Sequence, residues 1–116
     1  MAIYYSEDYA NRIRETYERL YALMNEVFQP SKCTGAWRLI HRCIRKTERD
    51  LPYNDDLFNP YIYGRRCTTV EGMDQICLFF YRKDFLSYEF RCLPNAGKKT
   101  VEKLEEVYNR LYGDDN

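Results

Sequence analysis

The sequence lacks any apolar run that could cross a bilayer. Its longest apolar stretch covers residues 76–81, whereas a transmembrane helix needs about 20 predominantly apolar residues. Residues 1–8 contain neither a basic start nor an apolar core, so we expect no signal peptide. These absences predict a cytoplasmic protein with no membrane partner.

The sequence also lacks the common motifs for metal and nucleotide binding. Its five cysteines include no Cys-x-x-Cys pair, and no glycine-rich phosphate loop is present. An odd number of cysteines without a secretion signal favours reduced thiols. The single histidine, His41, is expected on the helix surface or at the edge of the core, without a catalytic partner. We therefore expect no metal, no cofactor and no catalytic residue.

Net charge is zero, because 18 basic residues balance 18 acidic ones, but the two signs are segregated. Residues 31–50 contain six Lys/Arg and two Asp/Glu, whereas residues 102–116 contain two Lys/Arg and five Asp/Glu. Zero net charge argues against general affinity for nucleic acid. Segregated charge instead indicates a specific contact surface.

Within the basic segment, arginines recur at steps of four, three and four. They are Arg38, Arg42, Arg45 and Arg49. On a helix this spacing places all four on one face, and an apolar set follows the same rhythm one position earlier. That apolar set is Cys33, Trp37, Ile40 and Ile44. We predict a helix over residues 34–49 with a buried face beside a basic face, in preference to a strand suggested by alternation over residues 37–43.

The whole chain, residues 1–116, is predicted to be one small α+β domain. The predicted elements are helices at 6–28 and 34–49, strands at 61–69, 76–81 and 86–93, and a helix at 98–112. A loop over residues 51–60 joins the second helix to the first strand. This order, α-α-β-β-β-α, predicts a three-stranded antiparallel meander with the helices packed on one face.

Three local patterns predict the strands. Residues 76–81 are almost wholly apolar, as in a central strand. Residues 86–93 alternate, and the residues predicted to face inward are Leu86, Tyr88, Phe90 and Cys92. Residues 61–69 follow a proline and contain Gly64, which favours an edge strand. A homodimer through that edge, near Tyr61, is compatible with the sequence.

Twelve tyrosines make the sequence unusually rich in a residue that serves both core edges and binding surfaces. Arginine and tyrosine dominate binding hot spots. We therefore predict a non-catalytic binding module, of the type of a viral anti-defence or immunity protein, that occludes a protein partner bearing an acidic patch. The predicted contact residues are Arg38, Arg42, Arg45, Arg49, Tyr53, Tyr61 and Tyr63.

RNA is the alternative partner, because lysines open the final helix. These are Lys98, Lys99 and Lys103, placed where free helix amides also attract phosphate. A helix, three strands and a lysine-led final helix resemble double-stranded-RNA-binding domains. The order also resembles the Alu-domain proteins of the signal recognition particle, with similar residues at 6–9, 34–35, 70–72, 77–78 and in Leu104, Tyr108 and Leu111. Both resemblances imply an α+β fold that binds RNA.

A second alternative is a small, metal-free ribonuclease-like toxin. Such toxins cleave RNA with scattered Arg, Lys and Tyr side chains on a small sheet. The corresponding residues here are Arg65, Arg66, Tyr81, Arg82, Lys83 and Arg91. Ordinary solvation of turns and strand ends explains the same residues equally simply.

Overall fold

The computed structural model describes residues 5–47 and 66–113, and none of these residues belongs to a strand. The described elements are α1 Glu7–Val27, α2 Pro30–Thr47, α3 Val70–Tyr81, a 3-10 turn Asp84–Leu86, α4 Tyr88–Arg91, α5 Lys98–Tyr108 and a π-helical turn Asn109–Gly113. The predicted α+β fold with a three-stranded meander is therefore wrong, because the described part of the chain is helical.

The first two predicted helices are confirmed. The Ser6 hydroxyl caps α1 by accepting a hydrogen bond from the Tyr9 N–H at 3.2 Å. The second helix, α2, begins at Pro30, four residues before the predicted start. Proline is favoured in the first turn of a helix because that turn's N–H groups have no intrahelical acceptor. Pro30 therefore both follows α1 and begins α2.

Residues 76–81, predicted to be a central strand, form the second half of α3. The Thr69 hydroxyl caps this helix by accepting a hydrogen bond from the Gly72 N–H at 3.1 Å. The buried residues Ile76, Phe79 and Phe80 follow helical spacing along one face. A short apolar run suits a buried helix as well as a buried strand, and here the cap upstream of the run decides for the helix.

Residues 86–93, predicted to alternate in a strand, lie across the 3-10 turn and α4. Only Phe90 of the four predicted inward residues is buried. Leu86 is 42% exposed, Tyr88 is 73% exposed and Cys92 is also exposed. The Ser87 hydroxyl caps α4 by accepting a hydrogen bond from the Phe90 N–H at 3.2 Å. The period-two pattern is thus coincidental.

The predicted edge strand at residues 61–69 is described only from Arg66 onwards. Residues 66–69 form an irregular segment that leads into α3. Tyr61 lies outside the described residues. The described part of the chain therefore contains no strand edge through which the homodimer considered above could form.

The helices enclose one core that is rich in aromatic rings. The longest helix, α1, packs along α3, while α2 packs against α3 and α4, and α5 packs against α1. His41 is only 3% exposed and stacks on Trp37 with their ring centroids 5.8 Å apart. The expectation of a histidine at the edge of the core is thus corrected to a core histidine.

Tyr17 ties the segment before α3 to α1. Its hydroxyl accepts a hydrogen bond from the buried Cys67 N–H at 2.8 Å, and the tyrosine is 1% exposed. Changing Tyr17→Phe leaves this N–H buried without an acceptor, so we expect a loss of about 1–3 kcal/mol in the free energy of unfolding. Urea denaturation measures the loss.

A matched control for this change is Tyr21→Phe. Tyr21 lies one turn along α1 and stacks on Trp37 at 5.8 Å, but its hydroxyl makes no hydrogen bond within the described part of the chain. This variant should keep nearly all the stability. Equal losses in the two variants would contradict the importance of the hydrogen bond to Cys67.

Candidate functional site

A groove of about 590 Å³ lies where α2 and the first turns of α5 meet the end of α1. We call it the basic groove. Its lining residues are Phe28, Gln29, Lys32, Gly35, Ala36, Arg38, Leu39, Arg42, Pro94, Asn95, Lys99, Thr100 and Lys103. Five of these side chains are cationic and none is a carboxylate. The groove therefore suits an anion.

The cations of α2 reach the groove because of their helical spacing. Lys32, Gly35, Leu39 and Arg42 recur at steps of three, four and three, which keeps them on one strip of the helix. Arg38 lies beside this strip. The three cations Lys32, Arg38 and Arg42 are all exposed. The buried face of α2, with Trp37 and Ile40, holds the strip in place from behind.

The cations of α5 reach the groove from its N-terminal end. Lys99 and Lys103 are four residues apart and so lie one above the other on the same face. The Lys103 Nζ atom lies 3.5 Å from the Val27 carbonyl oxygen and 5.7 Å from the centroid of the Phe28 ring. A cation near the last carbonyls of α1 is favoured by the helix dipole. Lys103 is thereby positioned at the rim.

None of the five groove cations forms an ion pair with any residue of ranges 5–47 and 66–113. Three arginines elsewhere in these ranges do form ion pairs, although other exposed arginines there do not. Arg66 pairs with Glu18, Arg82 with Asp84 at 3.2 Å, and Arg110 with Glu106 at 2.6 Å. The like charges that line the groove repel one another, and an anionic ligand would neutralise them.

The N-terminus of α5 adds hydrogen-bond donors beside the groove. Gly97 is the N-cap and has no side chain to accept a hydrogen bond. The N–H groups of residues 98–100 consequently have no acceptor within the described part of the chain. Asn95, in the turn before α5, has a left-handed backbone conformation with φ at 72°. Asparagine tolerates this conformation better than most residues.

A second cavity, of about 270 Å³, lies between the first half of α1 and the end of α3. It is lined by three tyrosines, Tyr9, Tyr81 and Tyr112, and by the carboxylate of Asp74. Tyr9 donates a hydrogen bond to Asp74 at 3.5 Å, and this carboxylate raises the pKa of Tyr9. Tyr9 and Phe28 are separated by about 28 Å along α1, at about 1.5 Å per residue. The exposed tyrosines of the second cavity are therefore remote from the basic groove.

The predicted partner-binding residues divide into three groups. Arg38 and Arg42 line the basic groove. Arg45 is exposed on the same helix but does not line it. The remaining predicted contacts lie outside the described residues; they are Arg49, Tyr53, Tyr61 and Tyr63.

The structure brings two of the predicted phosphate-binding lysines, Lys99 and Lys103, into the same groove as Arg38 and Arg42. Lys98 is exposed but does not line it. Sequence reasoning missed Lys32. The spacing from Lys32 to Arg42 carried the signal, but the predicted helix began after Lys32.

Neither the basic groove nor the second cavity brings the predicted ribonuclease residues together. The Arg66 guanidinium lies 4.7 Å from the centroid of the Tyr21 ring and pairs with Glu18. The Lys83 Nζ atom lies 4.7 Å from the centroid of the Tyr108 ring. Tyr81 lines the second cavity, whose lining includes none of the other predicted ribonuclease residues. Arg65 lies outside the described residues.

The five cysteines all lie in the described ranges and form no disulfide there, and four of them are buried. Burial raises the pKa of Cys77 to about 12 and that of Cys43 to about 11, so both thiols stay protonated at neutral pH. Within ranges 5–47 and 66–113, no three His, Cys, Asp or Glu residues are arranged to hold a metal ion. Over the same ranges, no helix has the length and apolar character needed to cross a membrane.

The comparisons with known proteins give no relative. Neither of the two resemblances to RNA-binding proteins survives at the level of fold, because their three-stranded sheet has no counterpart in the described residues. The chain matches no protein-family model, no curated protein sequence and no solved structure.

Proposed function

We propose that this protein is a non-catalytic binding module that takes an acidic segment of a partner protein into the basic groove. One observation supports this above the others. Among the described residues, five cations from two helices and no carboxylate line a single groove, and none of the five cations forms an ion pair there. Binding there would occlude the partner's acidic segment, as expected of an inhibitor or accessory protein.

The chemistry of the lining suits a peptide. The planar guanidinium groups of Arg38 and Arg42 can each donate two parallel hydrogen bonds to a carboxylate. Between the charges, Ala36, Leu39 and Pro94 offer apolar surface for the methylene groups and backbone of an acidic segment. Charge complementarity of this kind also accelerates the encounter of the two partners.

RNA is the less favoured partner. Single-stranded RNA is usually held by exposed aromatic rings that stack on bases. Among the described residues, the one aromatic residue that lines the groove is Phe28, which is 4% exposed. Net charge is zero, so the chain lacks the strongly basic character of most RNA-binding domains. These features favour an acidic protein segment over RNA as the ligand of the basic groove.

Fluorescence anisotropy tests the proposal with defined probes. We expect labelled octaglutamate to bind the full chain more tightly than a single-stranded RNA octamer or a short RNA duplex. Each probe is titrated at about 50 mM and about 200 mM salt, because a phosphate-backbone ligand loses affinity log-linearly over this range. Tighter binding of either RNA would overturn the proposal in favour of the RNA alternative.

Gly35 provides a variant that blocks the groove without changing its charge. A Cβ atom built at Gly35 meets no atom within 4 Å, so a side chain there extends into open space. We expect Gly35→Met to weaken octaglutamate binding about tenfold, or about 1.4 kcal/mol, while Gly35→Ala retains it. Both variants should fold, because alanine and methionine are better helix formers than glycine. Unchanged binding by Gly35→Met would place the ligand elsewhere.

A further inference from the structure

We propose that the part of the basic groove beside α5 selects a phosphomonoester, so that the partner segment is bound when one of its serines or threonines is phosphorylated. This inference rests on the proposed function and names the chemistry that the groove recognises. It concerns three cations, Arg42 on α2 and Lys99 and Lys103 on α5, that line the same groove.

The number of cations that line this part of the groove favours phosphate over carboxylate. A carboxylate carries one charge, and one arginine fork satisfies both of its oxygens. A phosphorylated side chain carries about 1.5 to 2 negative charges at neutral pH and presents three strong acceptor oxygens. Three cations on two helices, without ion pairs in the described part of the chain, match such a dianion better than they match a single carboxylate.

Lys103 is held in place before any ligand arrives. Its Nζ atom is 3.5 Å from the Val27 carbonyl oxygen, and the Phe28 ring lies beneath it. A cation that is already positioned loses less conformational freedom on binding. Lys99 is exposed one turn earlier on the same face of α5 and supplies a second, adjustable ammonium group.

The free amides of α5 strengthen a site that the cations already define. The N–H groups of residues 98–100 have no acceptor within the described part of the chain, and the Thr100 side chain lines the groove. Helix N-terminal amides favour anions, and they favour a dianion more strongly than a monoanion. Lysines in the first turn oppose the helix dipole, and a bound phosphate would reverse that cost.

Three labelled peptides test the inference. They share one glutamate-flanked sequence and differ only at the central residue, which is phosphoserine, glutamate or serine. We expect the phosphoserine peptide to bind the full chain at least about tenfold more tightly than the glutamate peptide, as measured by anisotropy. The preference should weaken at pH 5, where the second phosphate proton, with a pKa of about 6, is regained.

Variants test which lysines give the preference for the phosphoserine peptide. The pair Lys99→Gln and Lys103→Gln should remove the preference for phosphoserine, while Lys98→Gln, whose side chain does not line the groove, should keep it. Equal binding of the phosphoserine and glutamate peptides would overturn the phosphate selectivity and leave the acidic-segment function standing. Failure of all three peptides would overturn both. Inorganic phosphate that binds as tightly as the phosphopeptide would show a site for free phosphate and contradict the inference.

Discussion

Changing Arg42→Glu and Lys103→Glu together is expected to weaken octaglutamate binding at least about 100-fold. The double change lowers the charge of the groove lining from five cations to three cations and two anions. Each lost charge-assisted hydrogen bond corresponds to about 1.5–3 kcal/mol, so two correspond to about 3–6 kcal/mol, or a factor of about 10² to 10⁴. Anisotropy measures the affinity, and thermal unfolding checks that the variant folds.

The matched control is Arg14→Glu with Arg91→Glu. It changes the net charge by the same amount, and both arginines are exposed and absent from the groove lining. We expect this control to retain most of the affinity. A comparable loss in the control would mean that overall charge, and not the groove, attracts the acidic probe.

The structure favours Arg42 with Lys103 as the pair of residues to reverse. The arginine spacing in the sequence points to Arg42 with Arg45 as the pair to reverse. Arg45 is exposed on α2 but does not line the groove, whereas Lys103 from α5 lines it together with Arg42. Reversal of Arg45 alone should therefore affect binding less than reversal of Lys103 alone.

The change Phe79→Ala is expected to lower the free energy of unfolding by about 3–5 kcal/mol. Phe79 is fully buried, and the ring centroids of Phe80, Phe90 and Phe85 lie 5.3, 5.7 and 6.3 Å from its own. Truncation leaves a cavity among these rings. The loss is a large share of the typical stability of about 5–15 kcal/mol, and urea denaturation followed by circular dichroism measures it.

A control two residues away tests the helix itself. Tyr81 is 66% exposed at the end of α3, so Tyr81→Ala should cost about 1 kcal/mol or less. In a strand, residues 79 and 81 would point to the same face, whereas in a helix they point to different sides. Similar losses for both variants would contradict the helical assignment and restore the predicted strand.

Local signals were sufficient for part of the fold. The Ser6 cap and the apolar stripe predict α1, and the matched apolar and basic spacings predict α2. The strand over residues 76–81 failed because an apolar run of this length has no periodicity that distinguishes buried helix from buried strand. Thr69 and the buried spacing from Gly72 carried the missing signal, since they extend the helical pattern upstream of the run.

The site was predictable in parts but not as a whole. Sequence spacing identifies Arg38 with Arg42 and, separately, Lys99 with Lys103. It assigned the two sets to different partners, one to a protein and the other to RNA. Their union in one groove depends on where α5 packs against the rest of the fold, which local patterns do not encode.

The groove draws its walls from helices that are distant along the chain, so it vanishes when the chain unfolds. A ligand that occupies it binds the native state alone and shifts the folding equilibrium by mass action, by about 2.7 kcal/mol at a hundredfold excess over its dissociation constant. The cations on α2 and α5 that line it form no ion pair within the described ranges, so an anionic ligand would add favourable charge interactions to the native state. Under the proposed function, an acidic partner present above its dissociation constant would therefore lower the unfolded fraction of this protein.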